Sequence, residues 1–131
     1  MTPYASAKQA YAEASVMTAS PERLVVMLYD GAIGFLRQAS LAIAAGDRDM
    51  ARARMRRAEA IVDELNLTLD MEQGGDVATR LRSIYLFCKR HLWEAQLRQD
   101  AAPVADVIRL LADLREAWEG VASTAAVKVP A

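Results

Sequence analysis

The chain has 131 residues but only one cysteine, one histidine, four prolines and six glycines. A single thiol, Cys88, excludes an internal disulfide framework and suits a reducing compartment. A single imidazole, His91, excludes the paired Glu-x-x-His motifs of a di-iron bundle. Cys88 and His91 together fall short of the roughly four ligands a structural zinc ion needs. Charge of one sign is also missing, since 16 basic against 17 acidic residues leave a net charge of -1. That balance predicts no bulk attraction to nucleic acid and none to an anionic membrane. No stretch approaches about 18 consecutive apolar residues, so no membrane insertion is expected. The opening MTPYASAKQAYAEAS lacks the basic start and apolar core of a secretory signal, which points to the cytoplasm. With no glycine-rich phosphate loop after a strand and no Ser–His–acid set, the expectation is a non-enzyme without cofactor or metal.

What is present is apolar and helical in period. Hydrophobic residues make up 53% of the chain, rich in Ala and Leu, which fits one ordered domain. The stretch 18–32, TASPERLVVMLYDGA, combines a helix start with a run too apolar for one surface. Ser20 can cap, Pro21 suits the first helical position, and Glu22 places negative charge in the first turn. The spacing predicts helices over about 21–45 and 48–69, a third that starts near Asp76 and a fourth that starts near Pro103. Gly46 is the first stop, Asp47 and Asp76 the next caps, and Gly74-Gly75 the second break. Core stripes are expected at Val25, Leu28, Tyr29, Ala32, Leu36, Ala39 and Ile43, then at Ala51, Met55, Ala58, Val62, Leu65 and Leu69. The third helix offers Val77, Leu81, Ile84, Tyr85, Cys88, Leu92 and Ala95. The fourth offers Val104, Val107, Ile108, Leu111, Leu114, Trp118 and Val121. Short connections make neighbours antiparallel, hence an all-α, antiparallel, up-down four-helix bundle over 18–122. A flexible N-terminal segment, 1–17, precedes it and a small-residue tail, 123–131, follows.

Three features lie off the core pattern. Leu24, Met27, Gly31 and Phe35 form a second apolar stripe on the first helix, and Leu86, Trp93, Leu97 and Leu110 also fall outside their stripes. Met and Trp suit adaptable binding surfaces, but a wide core would use the same residues, and the pattern leaves both readings open. Arg48, Arg52, Arg54, Arg56 and Arg57 form a cluster at the start of the second helix. It reads as a solvated face near the negative end of the first helix, as a protein-partner patch, or as a phosphate-binding patch. Glu59, Asp63 and Glu64 weaken the last. His91 could serve as a phosphotransfer histidine, but bulky Trp93 stands close by in KRHLW.

The segment 11–32, YAEASVMTASPERLVVMLYDGA, resembles the signature of the flagellin export chaperone family, FliS. The segments 56–65 (RRAEAIVDEL) and 69–78 (LDMEQGGDVA), with Leu81, Ile84-Tyr85, Leu114-Arg115 and Ala117-Trp118, fit the same family in the same order. Ile84-Tyr85 stands where the family often has Leu-Tyr, and the arginines of the second helix are unusually dense. The resemblance implies a cytoplasmic chaperone that binds the C-terminal segment of flagellin. It would prevent premature polymerisation and deliver the subunit to the flagellar export gate of the type III apparatus. An anti-sigma or assembly factor would be a further partner. The partner-binding residues expected on this reading are Tyr11, Val16, Leu24, Met27, Leu28, Tyr29, Gly31 and Phe35. Tyr11 and Val16 are expected to fold back over Leu24, Leu28 and Tyr29 when cargo is absent. Gly31 would let another segment approach closely. A generic helical adaptor and a phosphotransfer module using His91 are the rival readings.

Overall fold

A computed structural model describes residues 19–127, with side chains to Thr124. Tyr11, Val16 and the rest of the expected N-terminal segment lie outside the described residues. Four helices follow one another: α1 Pro21–Ala44, α2 Arg48–Leu67, α3 Gly75–Arg98 and α4 Ala102–Val127. They form a four-helix bundle, with no strand among the described residues.

Local chemistry sets the helix ends. The Ser20 hydroxyl accepts from the Arg23 N–H at 3.1 Å, with Pro21 just inside. After α1 the chain turns through Gly46 at a φ of 75°, which glycine adopts without strain. Asp47 then caps α2 by accepting from the Met50 N–H at 3.0 Å. The connection 68–74 is an Asx turn, since one Asp70 carboxylate oxygen accepts from both the Glu72 and Gln73 N–H groups. Gly74 closes it. A Cβ there would stand 2.5 Å from the Asp70 carbonyl oxygen and 2.7 Å from the Ala78 Cβ.

Three expected boundaries move. The α2 helix ends at Leu67, so Leu69, expected on its core stripe, lies in the following turn and is only half-buried. Asp76 lies inside the first turn of α3 rather than at its cap, where Gly74 stands without a side-chain hydrogen bond. The α4 helix runs on to Val127, through the start of the expected tail. Gln99, in the left-handed region at φ 52°, ends α3, and Asp100 accepts from the Ala102 N–H at 2.9 Å to open α4. Neither signal stands out in the sequence beside Pro103.

Packing follows the stripes with small rotations. On α2 the expected Ala51, Met55, Ala58, Val62 and Leu65 are all buried. On α1, Val26 and Ile33 are buried, while Val25, Leu28 and Ile43 are only half-buried. The cause is that α1 packs against both α2 and α4, so its core face is centred between them. Ala32, Ala39 and Ala42 permit that close approach. On α3, Val77 is 66% exposed and Ala78 takes the core position, one helical step before Leu81 and Tyr85. At the end of α4, Ala122 is buried and Val121 is half exposed.

The remaining neighbours are α2 with α3 and α3 with α4, which leaves α1 and α3 on the diagonal. Tyr29 of α1 and Tyr85 of α3 bridge it, their buried hydroxyls 2.5 Å apart. One 18-residue window of α1 reaches a mean hydropathy of 1.2, enough by length and composition to cross a membrane. About a third of that window, 33%, is buried within the bundle.

Candidate functional site

Among the described residues the bundle is open at one end. An apolar groove of about 900 Å³ lies where α1 and α3 begin and α2 ends. Leu24, Val25, Met27 and Leu28 of α1 form one wall, and Leu69, Val77, Leu81 and Tyr85 the other. Trp118 of α4 closes the side, and the 68–74 turn makes the rim through Thr68, Asp70 and Gly74. The physical origin is a mismatch. The two tyrosines bridge α1 and α3 at the diagonal, and beyond them the helices carry aliphatic side chains with nothing between among the described residues. Filling such a space with apolar side chains stabilises by roughly 1.5–3 kcal/mol for each one fully buried.

The floor and flanks are firm. Burial and the Tyr85 hydroxyl push the Tyr29 phenol well above its ordinary range, with the Trp118 indole acting weakly in the opposite sense. Burial also raises Tyr85, against a lowering by its bond to Tyr29. Both phenols are therefore neutral at physiological pH. On the flank, Arg23 pairs with Glu119 at 2.5 Å and Arg115 with Asp30 at 2.9 Å, tying α1 to α4. The Arg23 guanidinium holds the Glu119 carboxyl below the usual carboxylate range.

The expected partner-binding residues divide. Leu24, Met27 and Leu28 line the groove. Tyr29 does not: it is fully buried beneath it. Gly31 faces α2, where a Cβ would stand 3.2 Å from Ile61 Cδ1, so its missing side chain serves helix packing and not an incoming segment. Phe35 is half-buried against the core with the Arg57 guanidinium 6.0 Å above its ring, a cation–π contact away from the groove. The sequence reading missed Val25, Leu69, Val77, Leu81, Tyr85 and Trp118 as groove residues. Their only advance signal was that several sit in the segments carrying the family resemblance.

Other candidate chemistry is absorbed by packing. His91 stacks on Phe87 with ring centroids 4.3 Å apart, and its Nε2 lies 3.9 Å from an Asp106 carboxylate oxygen. That ring is held between neighbours, a poor target for an approaching receiver domain. Cys88 is fully buried, and burial pushes its thiol up to about 11, so the reactive thiolate is scarce. Among the described residues no group of three or more His, Cys, Asp or Glu could hold a metal ion.

This architecture has known relatives. The profile of the family described as "Flagellar protein FliS" matches residues 4–125. The chain is 39% identical to the flagellar secretion chaperone FliS of Salmonella typhimurium, over 92% of this chain and 93% of that protein. It is 33% identical to the protein of the same name from Bacillus subtilis, over 84% of this chain and 81% of that one. A third, from Vibrio cholerae, is also 33% identical, over 86% of each chain. A bundle with this sequence, matched from near its first residue to the last turns of α4, belongs to the FliS family of flagellar proteins.

Proposed function

We propose that the protein is a cytoplasmic, non-enzymatic export chaperone that binds the disordered C-terminal segment of flagellin. It keeps that segment from polymerising early and delivers the subunit to the flagellar type III export apparatus. The observation that carries this reading is the open groove between Leu24, Met27 and Leu28 on one side and Val77, Leu81 and Trp118 on the other. A pre-formed apolar trough suits a segment that folds as it binds, with aliphatic anchors entering at helical spacing. Ordering such a segment costs about 2–5 kcal/mol, which keeps net affinity modest and allows release at the gate. The names of the relatives, flagellar secretion chaperones, support the same direction. The export gate is then a second partner, and an anti-sigma or assembly factor a third.

The N-terminal segment enters as a competitor. Tyr11 and Val16 would cover the groove at Leu24, Met27 and Leu28 in the absence of cargo. A tether of this kind acts at an effective concentration of about millimolar, enough to shield the groove yet yield to a longer ligand. Calorimetry with flagellin carrying or lacking its last ~50 residues, a span sized from ~1.5 Å of rise per residue along the bundle, tests the cargo. Binding that survives loss of the tail refutes the assignment. Deleting residues 2–15 should raise cargo affinity or association rate and promote self-association. No change in any of these eliminates the cap.

A further inference from the structure

The groove occupies one end of the bundle, and the other end carries a second surface of different chemistry. On α3, Leu86, Arg90, Trp93 and Leu97 fall at i, i+4, i+7 and i+11, one continuous stripe about 16 Å long. Trp93 is 63% and Leu97 64% exposed, and Leu86 and Arg90 are exposed with them. Core packing does not use this stripe, since the buried side of α3 is Tyr85, Cys88, Leu92 and Ala95. Beside it the start of α2 contributes Arg48 and Arg52. These arginines, with Trp93, Leu97, Gln96 and Gln99, line a shallow pocket of about 250 Å³. Neither Arg48, Arg52 nor Arg90 has a carboxylate within ion-pair distance among the described residues. Gln96 and Gln99 each hold a buried amide oxygen without a hydrogen-bond partner.

We propose that this α2–α3 surface, Arg48, Arg52 and Arg90 around Leu86, Trp93 and Leu97, docks an acidic amphipathic helix of a second protein. Charge complementarity selects the occupant. Three unpaired guanidinium groups border an apolar strip, so the matching segment presents aliphatic anchors flanked by carboxylates. Trp and Arg are the side chains that dominate protein–protein interfaces. A nucleic acid would use the arginines but leave the Leu86–Leu97 strip uncovered, and the net charge of -1 opposes it. Because no residue lines both this pocket and the cargo groove, the two sites can be filled together. The docking site stands whether or not flagellin is the cargo.

The test uses a fluorescein-labelled helical peptide of about 16 residues, with leucines at helical spacing and glutamates flanking them. A twin carries lysines in place of the glutamates. Anisotropy should show binding of the acidic peptide alone, and amide shifts in NMR spectra should cluster at Arg48–Arg52 and Trp93–Gln99. Arg48→Glu with Arg52→Glu should weaken the acidic peptide at least about tenfold and admit the lysine twin, a charge swap worth about 1.4 kcal/mol or more. Trp93→Ala with Leu97→Ser should weaken both. All four side chains are exposed or near the surface, so each variant should keep its helical circular dichroism and melting temperature. Saturating the groove with the flagellin tail should leave the acidic peptide bound. The proposal is overturned by any one of four results: no binding, shifts confined to Leu24–Leu28 and Trp118, equal competition by a single-stranded oligonucleotide, or a dimer that Trp93→Ala dissolves.

Discussion

Replacing the diagonal tyrosines singly and together gives a sharp measure of what bridges α1 and α3. Tyr29 and Tyr85 are both essentially inaccessible, and their hydroxyls lie 2.5 Å apart. Tyr29→Phe leaves the Tyr85 hydroxyl buried without its partner, and Tyr85→Phe does the same to Tyr29. Each single change should cost about 1–3 kcal/mol, the penalty of an unpaired buried polar group. The double change removes both polar atoms and should cost no more than either single change. The cycle should therefore show a coupling of about 1–3 kcal/mol. Urea unfolding reads this as a drop in midpoint for each single variant and a recovery in the double, with m unchanged. Additive single effects, with coupling under about 0.5 kcal/mol, would refute the claim that the hydroxyl pair is an energetic link. The pair also predicts an alkaline limb. Both native phenols titrate above the unfolded value near 10, so above pH 10 the unfolded chain loses protons that the native chain keeps. Stability is then complete below about pH 10 and falls as pH rises beyond it. The double Phe variant should flatten that limb, and an unchanged slope would place its origin elsewhere.

Three further outcomes follow from the geometry. Gly74→Ala must push its Cβ away from the Asp70 carbonyl and the Ala78 side chain, so it should lower stability by about 2 kcal/mol or more. Gly75→Ala has open space and pays only for its φ of 54°, about 1–2 kcal/mol; thermal melts of the two variants should fall in that order. Gly31→Ala should change stability by less than about 1 kcal/mol, since the gain in helix propensity offsets a small shift of Ile61. Its cargo affinity should match the parent's, and a loss of binding on titration would return Gly31 to the groove. Leu28→Ser should weaken binding of the flagellin tail about tenfold or more, while its cost in melting temperature stays small because the side chain is only half-buried. Equal binding in a titration would remove Leu28 from the cargo surface.

Much of the bundle was legible because helix signals are local. Ser20-Pro21, Gly46-Asp47 and Gly74-Gly75 each act through their own backbone neighbourhood. The α2 stripe is legible from Ala51 to Leu65 because that helix has a polar outer face against which the period stands out, whereas Leu69 lies past the helix end. Where a helix is apolar on most sides, periodicity loses its phase. That is why Val26 and Ile33, not Val25 and Leu28, are the deeply buried positions of α1. It is also why Leu24 and Met27 line the groove while Gly31 and Phe35, on the same stripe, lie beside Ile61 and Arg57 of α2. A stripe names residues that share a face over a few turns, but α1 meets α2 along one flank only, and the groove exists only beyond the tyrosines.

By itself the sequence determined the number of helices, the class of fold and the surplus of apolar side chains at the start of α1. Each depends on interactions within a few turns of chain. Only the tertiary structure decided where the surplus gathers. The groove needs Leu69, Val77, Leu81 and Trp118 brought from three other helices or turns to face Leu24 and Leu28. The α2–α3 surface likewise needs Arg48 and Trp93 side by side, though they stand 45 positions apart in the numbering. Both depend on which helices are neighbours and on the phase at which each is turned, and packing volume, not local propensity, sets that phase.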